Sequence, residues 1–292
     1  MDIKEGTIQA NGLEFSYIEM GEGEPVFCFH GYPDTAHTWV PTLQVLATNG
    51  YRAIAPFMRG YYPTEIPADN EYSAVDLGQD VLALIAAFGY ERAKVIGHDW
   101  GAMAVYSAAS QTQTAISKMI TVAIPHPRAL KPTLGGLWKS RHFISYQIRW
   151  YALWQHQRNI AEQVSGIFKR WSPDWKFGTD EVDPVVHALS QPGRIEAALG
   201  YYWSFGADQR GERNKRLRNT IFKKTEVATL CIVGANDGAL DPQQMVNTPA
   251  AFSGPYEYKI ISGSGHFLHQ EKPDKFHQLV LNFFAGGIAN EL

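Results

Sequence analysis

The stretch VIGHDWGA, residues 95–102, decides how the rest of the chain is interpreted. An apolar run ends in GHDWG (97–101) and is followed by small residues that indicate a helix. A strand that turns sharply into a helix, with small residues flanking a reactive side chain, is a nucleophile elbow. The reactive side chain at such a turn is usually a serine hydroxyl, whereas here it is the carboxylate of Asp99. The sequence therefore predicts a carboxylate nucleophile.

Strand-like and helix-like segments alternate on both sides of this turn. The runs VFCFHG (26–31), YRAIAP (51–56) and AKVIGH (93–98) are short and apolar, as in strands that are buried on both faces of a parallel sheet. Residues 72–90 and 101–111 have the spacing of helices. Strands that alternate with helices in this way predict βαβ units and a parallel sheet.

The pattern changes at PHP (125–127) and returns with the strand-like TLCIVGAND (229–237). The segment between them is aromatic and helix-like, and it contains six of the eight tryptophans. We therefore expect one α/β core domain, residues 1–125 and 225–292, interrupted by a helical cap at 126–224. An apolar pocket is expected at their junction, because small ligands favour such boundaries.

Composition narrows the choice of partner and compartment. With 292 residues, 45% of them hydrophobic, and a net charge of −3, the chain gives no electrostatic reason to expect nucleic acid or a membrane as partner. No apolar run approaches the roughly 18 residues of a membrane span, and MDIKEGTIQA (1–10) does not resemble a signal peptide. Cys28 and Cys231 lie in apolar runs and are expected to be free thiols. We expect a cytoplasmic monomer or homodimer.

Two further residues complete a candidate triad with Asp99. Asp237 ends the strand-like TLCIVGAND, and His266 follows the strand-like YEYKII (256–261). The order nucleophile, acid, histidine is that of hydrolases with an elbow, and the carboxyl ends of parallel strands are where open sheets build their sites. We expect Asp237 to orient His266 as a general base.

The motif HGYP (30–33) follows the strand that ends at Phe29. In hydrolases with an elbow, this loop supplies one N–H of the oxyanion hole, and the residue after the nucleophile supplies the other. The two donors would be the backbone N–H groups of Tyr32 and Trp100.

Together these motifs resemble the α/β-hydrolase superfamily, and GHDWGA (97–102) is similar to its members with an aspartate nucleophile: epoxide hydrolases and haloalkane or haloacetate dehalogenases. The likeness extends from HGYPDT (30–35) to GHFLHQEKP (265–273). It implies an α/β-hydrolase fold, with a mostly parallel sheet of about eight strands, helices on both faces and a helical cap insertion. It implies no cofactor and no metal.

An aspartate nucleophile suits attack on saturated carbon. A carboxylate of reference pKa about 3.9 is ionised at neutral pH and needs no base to activate it. The resulting alkyl ester would be hydrolysed by water that His266 deprotonates, with the oxyanion hole holding the intermediate. The chain contains no G-x-S-x-G motif, which disfavours an ordinary esterase.

The leaving group distinguishes dehalogenation from epoxide hydrolysis. A halide needs N–H donors, whereas an opening epoxide needs a proton donor such as tyrosine. HGYP resembles the HGxP form of epoxide hydrolases, and RIEAALGYYWSF (194–205) resembles their late cap segment, which implies Tyr202 as a ring-opening tyrosine. The earlier segment IRWYALWQHQ (148–157) implies Tyr151. Tyr146 and Tyr201 are the alternatives.

The sequence thus predicts an epoxide hydrolase that acts on a small apolar epoxide and water to give a vicinal diol. The resemblance implies that His30, Pro33, Trp100 and Trp154 contact the substrate. The first alternative is a haloalkane or haloacetate dehalogenase that uses the same triad, and the second is a ligand receptor without turnover.

Overall fold

The computed structural model describes residues 2–131, 133–207, 221 and 223–286. Its centre is one eight-stranded sheet with the order β1-β2-β4-β3-β5-β6-β7-β8. The strands are β1 Lys4–Ala10, β2 Leu13–Met20, β3 Glu24–Phe29, β4 Tyr51–Pro56, β5 Ala93–His98, β6 Ile116–Val122, β7 Ala228–Gly234 and β8 Tyr256–Ile261. The pairs β1–β2 and β2–β4 are antiparallel and all other neighbours are parallel.

Local sequence explains the hairpin and the first long helix. Asn11 and Gly12, both with positive φ, form the tight turn between β1 and β2, as an Asn-Gly pair does in two-residue hairpins. The helix that follows β4 begins after Ser73, whose hydroxyl accepts from the N–H of Asp76, while the Asp76 carboxylate accepts from the Ser73 N–H. This capping box satisfies two backbone groups that the helix start would leave unpaired.

Helices cover both faces of the sheet. The helices outside the long β6–β7 connection are α1 Val40–Thr48, α2 Ala74–Ala87, α3 Trp100–Gln111, α10 Leu268–Glu271 and α11 Pro273–Phe284. Consecutive strand residues point to opposite faces, so Val95 joins the cluster under α2 and α3, while Ile96 joins the one under α1 and α11. The predicted fold class is confirmed. Cys28 and Cys231 are buried and free.

The connection between β6 and β7 carries a helical insertion. Its described helices are α4 Leu134–Lys139, α5 Arg141–Gln147, α6 Arg149–Arg158, α7 Ile160–Trp171, α8 Thr179–Leu189 and α9 Arg194–Ala207. The expected end of the insertion at residue 224 follows a stretch, 208–220 and 222, that lies outside the described residues, so the domain boundaries stay a prediction. No helix in the described part of the chain is both long and apolar enough to cross a membrane.

Candidate active site

Asp99 lies at the tip of the turn between β5 and α3. Its backbone has φ 51° and ψ −117°, a strained conformation for a residue with a side chain. The turn is so tight that a Cβ on Gly97 would lie 2.3 Å from the carbonyl oxygen of Gly101, and one on Gly101 would lie 2.2 Å from that of Phe29. The small residues of GHDWG are therefore a steric requirement, and they place the Asp99 carboxylate at the N-terminus of a helix.

The Asp99 carboxylate has two polar neighbours. The Tyr32 N–H donates to Oδ1 over 2.9 Å, and His266 Nε2 lies 3.4 Å from Oδ2. Burial alone would raise the pKa of Asp99, but the hydrogen bond and positive charge of His266 outweigh it and hold the pKa below its usual value. The carboxylate is therefore ionised at neutral pH.

His266 lies between two carboxylates. Its Nδ1 donates to Asp237 Oδ2 over 2.8 Å, and its Nε2 faces Asp99. Burial lowers the pKa of the imidazole, but the charges of Asp237 and Asp99 and the bonds to them outweigh this and raise the pKa to about 10. The structure thus brings the three predicted triad residues together, with His266 as an imidazolium.

Asp237 is held by its own loop. Its Oδ1 accepts from the N–H groups of Ala239 and Leu240 over 2.7 and 2.9 Å, so that Oδ2 remains for His266. Its carbonyl oxygen accepts from Lys139 Nζ over 2.6 Å. The first contact fixes the orientation of the carboxylate, and the second joins its loop to the insertion.

The end of α7 joins the insertion to the loop that carries His266. The Trp171 carbonyl accepts from the N–H groups of His266 and Gly238, each over 3.0 Å. The Ser172 hydroxyl donates to Glu271 Oε1 over 2.6 Å and accepts from the Phe267 N–H over 3.0 Å. The position of His266 therefore depends on the insertion as well as on the sheet.

Tyr202, on α9, is the predicted cap tyrosine that reaches this site. Its ring lies 5.3, 5.2 and 5.0 Å, centroid to centroid, from Tyr32, Trp100 and Tyr146. Its hydroxyl finds no acceptor among the residues that the structure describes. Burial first, and then the negative charge of Asp99, raise the pKa of Tyr202 well above its ordinary value, so the phenol keeps its proton.

Tyr151, the second predicted cap tyrosine, is not brought to the site. Its ring packs against the exposed Trp150 and Trp154, and its hydroxyl accepts from Gln155 over 2.8 Å. Tyr146, one of the two alternatives, is buried beside Tyr202 instead. The other, Tyr201, donates its hydroxyl to the Arg59 carbonyl over 2.8 Å and is held away by that bond.

The four residues expected to contact substrate differ in where the structure places them. Trp100 is buried against Tyr202, and Pro33, joined to Tyr32 by a cis peptide, is also buried. His30 uses both ring nitrogens on the backbone, donating to the Gly31 carbonyl and accepting from the Met58 N–H, each over 3.0 Å. Trp154 is half exposed and stacks under Arg158, so the structure places it at the surface and not in the site.

Three side chains near the site are not among the predicted site residues. His142 and Trp171 are buried and their rings are 4.7 Å apart; the Trp171 ring also lies 5.1 Å from that of His266. His156 Nδ1 donates to the Ala152 carbonyl, so its Nε2 accepts from the Tyr32 hydroxyl. His142 and Tyr146 are four residues apart on one helix, and so are Ala152 and His156 on the next. This i, i+4 spacing was the available signal for a buried helix face.

One group of potential metal ligands lies next to the triad. Asp34, His98 and His269 place possible ligand atoms within 4.8 Å of one another. The Asp34 carboxylate already accepts from the Thr35 N–H and from Gln270, while His98 Nε2 donates to the His266 carbonyl over 3.0 Å. These contacts join the group to the loop that carries His266, while His98 Nδ1 and His269 Nδ1 find no hydrogen-bond partner among the described residues.

Comparison with known proteins decides the family. A family model described as the alpha/beta hydrolase fold matches residues 24–273. The chain belongs to the α/β-hydrolase fold family. This hydrolase is 27% identical to epoxide hydrolase A of Mycobacterium tuberculosis (strain ATCC 25618 / H37Rv), with 97% of each chain covered. It is 24% identical to human epoxide hydrolase 4 over 94% of its own length and 77% of the human protein.

A solved structure agrees in fold. The epoxide hydrolase VrEH1 of Vigna radiata superimposes with a TM-score of 0.83 at 21% identity, covering 97% of this hydrolase and 98% of the plant protein. At this identity the likeness establishes the fold, and the chemistry must be argued from the site.

Proposed function

We propose that this hydrolase opens an epoxide to a vicinal diol through an ester on Asp99. The observation that carries the proposal is the buried phenol of Tyr202, which packs from the insertion against Tyr32 and Trp100 beside Asp99 and has no acceptor in the described part of the chain. An opening epoxide needs a proton donor opposite its nucleophile, and a protonated phenol supplies one. The names of the curated relatives support the same activity.

In the first step Asp99 Oδ2 attacks one epoxide carbon and the carbon–oxygen bond of the ring breaks. Oδ1 stays on the Tyr32 N–H and becomes the carbonyl oxygen of the ester. The departing alkoxide takes a proton from Tyr202 or from Tyr146, whose buried rings lie 5.0 Å apart. We assign the second tyrosine to Tyr146 in place of Tyr151, because only Tyr146 packs beside Tyr202.

The second step needs His266 as a base, although its pKa in the free enzyme is raised to about 10. Formation of the ester removes the charge of Asp99, which is one of the causes of that raised pKa. His266 can then return a proton to the tyrosine that lost one. The neutral imidazole, with Asp237 on Nδ1, removes a proton from water as the water attacks the ester carbonyl carbon.

The oxyanion that forms on Oδ1 would be held by two backbone donors. The Tyr32 N–H already lies 2.9 Å from that oxygen. The second donor would be the Trp100 N–H, which lies in the first turn of α3 directly after Asp99. As the intermediate collapses, its bond to the alkyl oxygen breaks and the remaining proton of the added water passes to that oxygen. This releases the diol and leaves Asp99 as a carboxylate and His266 as an imidazolium, so protons balance over the cycle.

Aromatic rings surround Tyr202 at the site and favour an apolar epoxide. The rings of Trp100, Phe143 and Tyr146 surround Tyr202 at 5.2, 5.1 and 5.0 Å. We also propose, from the two buried thiols, that the enzyme works in a reducing, cytoplasmic compartment, as a monomer or homodimer.

Dehalogenation is the second candidate, and one observation favours it. The Trp171 indole N–H is buried beside His266 and has no hydrogen-bond partner among the described residues. A halide leaving from a carbon bound to Asp99 would accept such a bond. A receptor without turnover is less consistent with an acid that is hydrogen-bonded to a histidine whose Nε2 lies 3.4 Å from the nucleophile.

A paired assay tests the proposal. Wild type and Asp99→Ala are compared for diol formation from styrene oxide and an aliphatic epoxide, and for halide release from a bromoalkane and a haloacetate. We expect diol from wild type, its loss in the variant, and no halide. Halide without diol would replace the proposal by dehalogenation, and no product in either arm would favour a receptor.

A further inference from the structure

The insertion exposes a large share of the apolar side chains that reach solvent. Among the described residues, eight of the twelve large hydrophobic side chains classed as exposed lie between residues 130 and 154. The most exposed are Leu134 at 89%, Trp150 at 73% and Trp138 at 70%. Scattered apolar residues are normal on a surface, but a concentration on one short segment marks an interaction site.

Helix geometry separates this exposed face from the site. On α5, His142 and Tyr146 point inward and Ile144, between them, points outward. On α6, Ala152 and His156 are buried, whereas Trp150 and Trp154 are exposed. The inward positions pack against Tyr32 and Tyr202 at the site, whereas the exposed side chains are not part of the core. We call the exposed residues Leu134, Leu137, Trp138, Ile144, Trp150 and Trp154 the outer face.

Every charged side chain on the segment that carries the outer face is positive. The sequence has no aspartate or glutamate between Asp99 and Glu162, while Arg128, Lys131, Lys139, Arg141, Arg149 and Arg158 fall in this interval. Two guanidinium groups stack on tryptophans of the outer face, Arg141 over Trp138 at 4.6 Å and Arg158 over Trp154 at 4.7 Å. The chain as a whole is acidic, so the positive charge is local.

We propose that the outer face docks on an anionic lipid surface, with its tryptophans and leucines in the headgroup boundary and its arginines on lipid phosphates. Tryptophan with arginine or lysine beside apolar side chains is the composition of interfacial helices. Docking on the surface of a bilayer needs no membrane-spanning helix. The positive charge that favours it is local to this segment and is not evident from the negative net charge of the whole sequence.

The positive charge and the apolar side chains of the outer face together favour a lipid surface over a second copy of the chain and over nucleic acid. A second copy docked through the same face by a two-fold axis would bring like positive charges together, because such an interface is self-complementary. Nucleic acid would match the arginines but would leave Leu134, Leu137 and Ile144 in water. A lipid surface with phosphate groups above hydrocarbon satisfies both components.

Vesicle sedimentation tests the docking. The full chain is mixed with vesicles of phosphatidylcholine alone or with about one-third phosphatidylglycerol, at low and high salt. We expect roughly tenfold tighter binding to the anionic vesicles, since each surface arginine or lysine adds to the attraction, and a loss of that preference at high salt.

Two double variants separate the components of the outer face. Trp138→Ser with Trp150→Ser is expected to weaken binding to both kinds of vesicle, and Arg141→Gln with Arg149→Gln to abolish only the anionic preference. The matched control is Tyr258→Ser with Ile260→Ser on β8, which removes exposed apolar side chains elsewhere and should change nothing. Far-ultraviolet circular dichroism checks that each variant is folded.

Two results would overturn the proposal. One is equal or absent binding of wild type to both kinds of vesicle. The other combines three observations. Wild type forms a dimer in sedimentation velocity at the same protein concentrations, the double variant Trp138→Ser with Trp150→Ser does not, and that variant still binds vesicles as wild type does. The second result would assign the outer face to contact between copies of this chain.

Discussion

The two sides of the candidate site are held in different ways. On the sheet side, Asp237 has a short bond to His266, whose Nε2 lies 3.4 Å from Asp99, and both carboxylates accept from backbone N–H groups in the loops that follow strands. On the insertion side, Tyr146 and Tyr202 are positioned mainly by ring contacts. Bonds to the backbone fix angles closely, whereas ring packing tolerates substitution, so the nucleophile and base are fixed by the fold and the leaving-group side can be varied.

The largest effect should come from the sheet side. Asp99→Ala removes the proposed nucleophile without leaving a buried charge, and we expect kcat/KM for diol formation to fall by about 10⁴-fold. Diol formation is followed by chromatography. The matched control is Asp241→Asn, a carboxylate that caps a 3₁₀ segment outside the site. More than about a tenth of wild-type activity in Asp99→Ala would exclude the ester mechanism.

Replacing the base should separate the two half-reactions. In His266→Gln the first attack is retained, while hydrolysis of the ester slows by about 10³-fold because no group removes the proton from water. Intact-protein mass spectrometry should show the chain heavier by one substrate molecule. Equal losses of both half-reactions, with no trapped adduct, would contradict the role of His266 as a base only for the second step.

Removing single hydroxyls on the insertion side should cost less. We expect Tyr202→Phe and Tyr146→Phe each to lower kcat by about 10²-fold, since the second phenol still donates. Tyr151→Phe is the matched control and should stay within about twofold of wild type, because its hydroxyl bonds only Gln155 in the described structure. A large loss in Tyr151→Phe with none in Tyr146→Phe would reverse the assignment of the two residues.

The smallest expected effect is a shift in the pKa of His266. Asp99→Asn removes one of the charges that raise the pKa of His266 to about 10, so the pKa should fall, as observed by NMR of the imidazole. The folded-state pKa lies above the ordinary value of 6.5, so the stability contributed by His266 is complete below about pH 6.5 and is lost as the pH rises toward 10.

Urea unfolding at several pH values measures this contribution. We expect the free energy of unfolding of wild type to decline over that alkaline window, and the decline to be smaller in Asp99→Asn. An unchanged pKa in the variant would show that Asp237 alone sets the charge of His266.

The sheet side could be predicted from the sequence because its constraints are local. The glycines of GHDWG fit a turn too tight for side chains, and Asp237 and His266 each follow a strand of the sheet. Their roles in catalysis stay predictions. The geometry alone establishes that these residues meet.

The insertion side could not be predicted as closely, and Tyr151 shows why. Tyr146 and Tyr151 lie on successive helices that are separated by Ile148, whose backbone, with φ −82° and ψ 83°, is not helical. That break changes which side of the segment faces inward, and the resemblance to known cap segments does not reveal it. The inward position of Tyr146 depends on packing against Tyr32 and Tyr202, which are remote in sequence.

The bonds at the end of α7 have a consequence for how such enzymes diversify. The Trp171 carbonyl and the Ser172 hydroxyl hold the backbone of the loop that carries His266. A transplanted insertion from another hydrolase would therefore need a carbonyl and a hydroxyl at the same two points, or the imidazole would drift from Asp99. Recombination that exchanges the helices before this junction must keep the Lys139 contact with the Asp237 loop and Tyr146 beside Tyr202, and the junction itself must be inherited together with the histidine loop.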